Sequence, residues 1–400
     1  MEIYILAIVF LAIIVTLFVL KKPLMVSILA GIILSIILYQ IPLDAAANII
    51  KNSITSQTTI SVLLVFYIIT LLQRMMQKED ALTTAQQSIE KLVNNRRLDA
   101  IISPTFMGLL PSASAVYLAG AMVETSCKDD LSAEDKTVIA SYFRHVAESF
   151  LPTYPAIIIA ISLTGVNLNT FILAMIPMVI VYVLLGYFFL LRKLPLTTFK
   201  QKVNIKKELS VIISALFPII AVLILILAFN IPAQYAAGVI VIIYAIYKRY
   251  SINEMIEFIK SAFEPKVLIT TALIFVFKDI ITYMNVIELL PSLLNGLPIP
   301  IYLTYGIIFF FSAIILGNSG ANVIILPLAF STIPDAGLPL LIYLNCIGFI
   351  SMQVSPTHLC LFMACEYFKT DILELFKRSI PMVVIFLIVT NIYYLLLNLF

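Results

Sequence analysis

Apolar runs of about twenty residues recur along this chain, and no other feature constrains its fold as much. A helix needs roughly 20 apolar residues to cross the hydrocarbon core of a bilayer. Runs of that kind fall at 3–20, 24–40, 57–76, 137–163, 168–191, 209–228, 232–248, 266–285, 338–366 and 378–399. Of the 400 residues, 62% are hydrophobic and only 12% are charged. A soluble domain could not hide that much apolar surface. A soluble enzyme, a disordered chain and a nucleic-acid binder are excluded together. The expected class is an all-α polytopic membrane protein with ten transmembrane helices. The stretch 77–98, the longest polar one, reads as a loop. Lys21 and Lys22 follow the first apolar run instead of preceding it, which favours a retained span over a signal peptide.

Two further apolar stretches do not fit a simple crossing. Residues 100–124 are interrupted by Pro111-Ser112-Ala113-Ser114, and residues 303–331 by Gly317-Asn318-Ser319-Gly320-Ala321-Asn322. Backbone can leave the helix at membrane depth only where protein or a water-filled cavity covers it. Both stretches are read as re-entrant hairpins. Two spans are also broken internally, at Leu151-Pro152-Thr153-Tyr154-Pro155 and at Ser355-Pro356-Thr357-His358. Proline removes a donor and clashes with the preceding turn, so the helix unwinds there.

The order of elements repeats. Pro23 and Pro232 follow the first and sixth spans at an offset of 209, and Lys51 and Lys260 share that offset. Ser112 and Asn318 align at 206, and the Pro-Thr pairs 152–153 and 356–357 at 204. Each half, 1–200 and 201–400, reads as two spans, an amphipathic interfacial segment (44–55 or 251–263), a span, a hairpin, a broken span and a last span. Five crossings per half place the second half in inverted topology. That architecture belongs to secondary transporters, whose sites lie at the midplane where discontinuous elements meet.

Lys and Arg orient the chain. With alternate loops assigned to two faces, one face receives twenty-one basic residues and the other only Lys51. The bias holds only if neither hairpin crosses fully. It makes the basic face cytoplasmic, puts both termini outside and places the protein in the inner membrane.

The hairpin tips supply hydroxyls at Ser112, Ser114 and Ser319 and amides at Asn318 and Asn322. Freed helix N-termini suit a carboxylate. Freed carbonyls and neutral side-chain oxygens suit Na⁺. Thr153 and Thr357 follow the prolines of the breaks and either bind ligand or rebond freed backbone. His358 is a packing residue or a proton or substrate group. For a coupling cation the same logic selects Ser112, Pro152, Asn318 and Ser355. Ionisable residues within spans are functional candidates by default. Arg144 and Glu148, four apart, either pair on one helix face or leave Arg144 to bind a substrate carboxylate bidentately. Lys278 and Asp279 point about 100° apart, so each is expected to need its own partner. Proton coupling would fall to Glu148 or Asp279. Two histidines are too few for a histidine-based metal centre. Four scattered cysteines, with no CxxC, argue against disulfides and zinc.

The stretch Ser141-Tyr-Phe-Arg-His-Val-Ala-Glu-Ser-Phe-Leu-Pro-Thr-Tyr-Pro155 resembles that of an integral-membrane family labelled only as a domain of unknown function, of the DUF401 type. Ser355-Pro-Thr-His-Leu-Cys-Leu, followed by Glu366-Tyr-Phe-Lys-Thr-Asp, resembles its second signature. The resemblance runs over most of the chain and implies the ion transporter superfamily, near gluconate-type permeases, dicarboxylate/citrate transporters and arsenite-pump membrane subunits. It implies homodimers and a carrier domain moving like an elevator against a scaffold built mainly from spans one, two, six and seven. By the same likeness Ser112, Ser114, Asn318, Ser319 and Asn322 match hairpin-tip ligands, and Thr153 and Thr357 match broken-helix ligands. The chain reads Pro-Ser-Ala-Ser and Gly-Asn-Ser-Gly where dicarboxylate carriers have Ser-Asn-Thr.

The expected activity is secondary active transport of a small organic anion or amino acid, coupled to Na⁺. Proton coupling or export is the first alternative and a passive anion channel the second. No enzymatic activity and no cofactor beyond the coupling ion are expected. The expected partners are the substrate, the lipid bilayer and a second copy of the chain, with no nucleic acid.

Overall fold

The computed structural model describes residues 2–20, 22–93, 95–109, 115–195, 203–284, 298–333, 335–356 and 358–399. Among them the regular structure is helical and no strand occurs. Helix α1 (Glu2–Ile14) runs on through a π turn (Val15–Val19), followed by α2 (Leu24–Leu38), α3 (Leu43–Thr55), α4 (Gln57–Lys78) and α5 (Ala81–Val93). Then come α6 (Arg96–Met107), α7 (Ala115–Cys127), α8 (Ala133–Arg144), α9 (Pro155–Thr164) and α10 (Leu168–Gly186). The second half holds α11 (Ile205–Leu227), α12 (Ala233–Lys248), α13 (Ile252–Ala262), α14 (Pro265–Tyr283) and α15 (Ile301–Thr332). It ends with α16 (Gly337–Ser351), α17 (Leu359–Phe368) and α18 (Ile372–Leu397).

Helix starts follow local chemistry. Ser56, Asn95, Ser132, Asn167, Asn204, Ser251 and Asp371 each cap a helix by accepting from a backbone N–H of its first turn. Among the described residues, five helical stretches are long and apolar enough to cross a membrane: Gln57–Lys78, Leu168–Leu191, Ile205–Leu227, Gly337–Phe368 and Ile372–Leu397. The chain is a multi-pass, all-helical membrane protein. Other apolar runs form shorter helices, among them α2, α9 and α12.

The expected loop at 77–98 is corrected. α4 continues to Lys78, and 81–93 is a helix. Leu82 and Ala85 bury one face of α5, which packs on α11. Its apolar positions are too few to span a membrane and become visible only at helical spacing.

Both interrupted stretches fold back on themselves. Arg96 donates to the Ser126 carbonyl at 2.7 Å and to that of Cys127 at 2.9 Å, joining the far ends of α6 and α7. Asp99, buried, accepts from the Ser103 hydroxyl at 2.7 Å and from that of Ser126. The turn that carries Ser112 and Ser114 lies outside the described residues. In α15 the helix is interrupted at Gly317, whose φ of 72° and ψ of 166° suit glycine alone. A straight helix would hold Tyr305 and Thr332 about 40 Å apart. Their hydroxyls instead hydrogen-bond at 2.6 Å, and Tyr305 reaches the Leu328 carbonyl at 3.1 Å.

The helices pack in two groups. In one, α2 packs on α1 and α14, α4 on α12 and α13, and α11 on α5 and α12. In the other, α8 contacts α6, α7, α17 and α18, while α15 packs on α9 and α16. The stacked Tyr142 and Tyr182 rings, 3.9 Å between centroids, clamp α8 to α10, each hydroxyl donating to the other's carbonyl at 3.0 Å.

Ion pairs join several helix ends. Lys78 with Glu254, Lys248 with Glu79 at 2.5 Å, Arg74 with Glu264 at 2.9 Å and Arg378 with Asp135 join helix ends that the alternation of spans assigns to the basic face. The Lys78 ammonium, helped by the Ser251 cap, holds the Glu254 carboxyl down at about 2. A carboxylate depressed in the folded state contributes stability above its unfolded pKa and loses it as pH falls towards the folded value. Lys78→Met should therefore cost the same in thermal midpoint from pH 7 down to about 4.5, near an unperturbed glutamate, and progressively less below. Melting curves across that range test this.

Candidate functional site

Two broken helices meet in the second helical group. In the first, α8 stops at Arg144, a 3₁₀ turn covers Ala147–Ser149, and Pro155 opens α9 at a position where its missing donor costs nothing. In the second, α16 stops at Ser351, a 3₁₀ turn covers Met352–Val354, and α17 begins at Leu359 after an extended His358. The breaks touch. The Nε2 atoms of His145 and His358 are 2.8 Å apart, and Arg144 Nη1 lies 3.4 Å from Cys360 Sγ. Asn345 of α16 donates to the Ser149 carbonyl at 2.9 Å.

Each hairpin adds contacts to the breaks. Gly108, at the end of α6, abuts α8 so closely that a Cβ there would stand 1.9 Å from the Arg144 carbonyl oxygen. The Tyr154 hydroxyl donates to the Gly108 carbonyl. On the α15 side, Asn322 donates to the Ala156 carbonyl at 2.9 Å. Ser355 donates to the Ile314 carbonyl at 2.7 Å. A Cβ on Gly348 of α16 would come within 2.3 Å of Asn318 Oδ1. The α15 hairpin is thus tied to both breaks at once.

Buried polar atoms gather here. The Thr153 hydroxyl, both amide atoms of Asn318, Oδ1 of Asn322 and of Asn345, and Nε2 of Gln353 have no hydrogen-bond partner among the described residues. Such groups are uncommon and call for a ligand, water or ion. Four are neutral oxygens, a donor type that suits a hard monovalent cation.

Two cavities approach the first break from opposite ends of α4. One, about 300 Å³, is lined by the N-terminal half of α4 (Ser61, Val62, Val65), by Asn169 and Gln234, and by Pro152. The other, about 340 Å³, is lined by the C-terminal half of α4 (Phe66 to Gln77), by Glu264, and by Thr153 and Pro155. The broken segment borders both, through Pro152 on one side and Thr153 and Pro155 on the other. The Arg74–Glu264 pair stands in the second cavity's wall.

Several expectations change. Arg144 and Glu148 do not share a helical face, because α8 ends at Arg144. Glu148 Oε2 lies 3.8 Å from His145 Nε2 instead. Lys278 and Asp279 pair with each other at 3.0 Å, since the long lysine arm folds back across the 100° between them. Asp279 also accepts from Ser53 of α3 at 2.5 Å, so its bonds lie on the α3–α14 side and not at the breaks. The two histidines that seemed too few for a metal centre meet Cys360, all three ligand atoms lying within 4.8 Å of one another. Ser319 is half-buried beside Asn318. Thr357, like Ser112 and Ser114, lies outside the described residues. Cys360, Asn345 and Gln353 were not selected from the sequence, whereas His145 stood there beside Arg144 and Glu148 as an ionisable residue within a span. The single amides in the apolar run 338–354 were the signal for Asn345 and Gln353.

The fold is similar to that of a solved transporter, the Alcanivorax borkumensis YdaH protein, whose crystal structure is described as having an unusual topology. The TM-score is 0.63, the identity 11%, and the match covers 90% of each chain. No curated protein matches the chain. The profile of the family described as "Protein of unknown function (DUF401)" matches residues 3–397, and the chain belongs to that family.

Proposed function

We propose that the protein is a secondary active transporter that moves a small organic anion or amino acid by alternating access, coupled to Na⁺. The observation that carries this reading is the pair of cavities that reach Pro152–Thr153 from opposite ends of α4. Two separate cavities bordering one broken segment suit a carrier better than an open anion channel. The transporter fold of the similar structure supports the same reading.

In this reading the two hairpins are re-entrant and the chain crosses ten times. The group containing α6–α10 and α15–α18 slides like an elevator against a scaffold of α1, α2, α11 and α12, to which α4, α5, α13 and α14 also pack. Ser112, Ser114, Thr153, Asn318, Ser319, Asn322 and Thr357 face substrate. Arg144 supplies positive charge for a carboxylate, and His358 borders it. Na⁺ takes Asn318 and Ser112 at the tips with backbone oxygens of Pro152 and Ser355. The protein works as a homodimer in the inner membrane, with both termini outside.

Proton coupling is a second reading. The chain of Glu148, His145 and His358, separated by 3.8 Å and 2.8 Å, favours it. Asp279 has no part in that chain, since it is held by Ser53 and Lys278.

The test is thermal stability of the purified protein with carboxylates and amino acids in NaCl or choline chloride. A ligand of the folded state raises the midpoint by mass action. The expected result is a rise with NaCl and no solute, and a further rise with one solute class that Thr153→Ala loses. Silence in both salts at every pH tested overturns the transporter reading. A rise that follows pH and ignores Na⁺ transfers the coupling to protons.

Orientation has its own test. Ser61→Cys should react with an impermeant maleimide from outside only, and Gln73→Cys from the cytoplasmic side only. The reverse pattern inverts the assigned topology.

A further inference from the structure

The strongest unassigned feature is the cluster where the broken helices meet. His145 and His358 are 213 residues apart in sequence, yet their Nε2 atoms stand 2.8 Å apart. Cys360 Sγ lies within 4.8 Å of both ring atoms. Glu148 Oε2 is 3.8 Å from His145 Nε2. We infer that His145, His358, Cys360 and Glu148 form a site for a divalent transition-metal ion of the zinc class.

The tautomer of His145 supports this. Its Nδ1 lies 2.5 Å from the Ser141 carbonyl oxygen. A carbonyl only accepts, so the proton sits on Nδ1. The neutral ring then turns the lone pair of Nε2 towards His358 and Cys360. Metal-ligating histidines are oriented in this way, by an outer hydrogen bond from the other nitrogen.

The donors also suit the ion. Two imidazoles, a thiolate and a carboxylate make a four-ligand set of the zinc type. Soft sulfur and borderline nitrogen select transition metals over Na⁺, Mg²⁺ or Ca²⁺. Arg144 Nη1 donates to the sulfur at 3.4 Å and turns it towards the two rings' side of the break. His145 and Cys360 are buried, and Val116 and Ala364 close an apolar wall around the sulfur. Two nitrogens bound at about 2.0–2.1 Å in a tetrahedron stand roughly 3.3 Å apart. The rings need to part by only about 0.5 Å from their present spacing.

Proton balance is simple. As the ion enters, Cys360 releases its thiol proton to water. His358 moves its proton from Nε2 to Nδ1, and Glu148 binds as the carboxylate. No electron is transferred. Both breaks belong to one packed group, α8 lying against α17. The ligands therefore sit within one packed unit, and the ion is a resident cross-link. The inference does not depend on the transporter reading.

The test uses the full chain, purified in detergent without a histidine tag, loaded with zinc or cobalt(II) and desalted. The expected result is about one metal per chain and, with cobalt, a near-ultraviolet thiolate-to-metal charge-transfer band. Cys360→Ser should abolish the band, and His358→Ala should lose the metal, while Cys127→Ser keeps both. Elution as a single species separates loss of ligand from loss of fold. Should His358→Ala fail to fold, the nearly isosteric Cys360→Ser carries the decision. A band that persists in Cys360→Ser, or wild-type metal content no higher than in that variant, overturns the site.

Discussion

Gly108→Ala is expected to destabilise the protein by about 3 kcal/mol, the upper part of the range for overpacking a tight contact. The added Cβ would lie 1.9 Å from the Arg144 carbonyl oxygen and 3.0 Å from that of Thr105. Both are backbone atoms, so no side chain can rotate away. The α6 hairpin would have to lift off α8 at the residue that carries the Arg144 guanidinium. The Tyr154 bond to the Gly108 carbonyl would be lost with it. Gly238→Ala is the control. Its Cβ would meet only Ile68 Cδ1, at 3.9 Å, and a helical Gly→Ala change gains up to about 1 kcal/mol. Thermal midpoints of the two variants should therefore move in opposite directions. Equal midpoints would mean that α6 does not seat against α8 as described.

Asn318→Ala is expected to remove the Na⁺-dependent part of thermal stability. A ligand present at a hundred times its Kd stabilises by about 2.7 kcal/mol, a shift of several degrees for a chain of this kind. Asn318 is buried with both amide atoms unpartnered among the described residues, so an ion that uses Oδ1 also repays its desolvation. Gly348→Ala should have the same effect without touching Asn318. Its Cβ would come within 2.3 Å of Oδ1 and push the carboxamide aside. A wild-type shift that survives both changes would place the cation elsewhere. Asn345, another buried amide with an unpartnered oxygen, would then be the next residue to test.

Much of this molecule is legible in one dimension. Its solvent follows from the apolar runs, since a crossing helix must satisfy its own backbone and present apolar side chains. Helix starts follow from Ser, Asn and Asp at the caps. The breaks follow from Pro152, Pro155 and Pro356, because proline cannot continue the hydrogen-bond ladder. The turn of α15 falls at Gly317, the residue that tolerates its backbone angles. These are local properties, decided within a few residues of chain.

Tertiary structure alone decided which polar groups meet. The sequence holds two histidines and places no constraint on their separation in space. Only the crossing of α8 and α17 puts His145 against His358 and beside Cys360. Local spacing offered Arg144 and Glu148 one helical face, but α8 ends between them. It separated Lys278 from Asp279, but a flexible side chain rejoined them. Helix α5 is too short and polar to announce itself, and the surface of α11 gives its apolar face a partner. In lipid the apolar side chains on every face are nearly equivalent, so burial does not single out which helices pair. That choice falls to close glycine contacts, to buried amides reaching backbone, and to ion pairs at the helix ends, all of them between residues far apart in the chain.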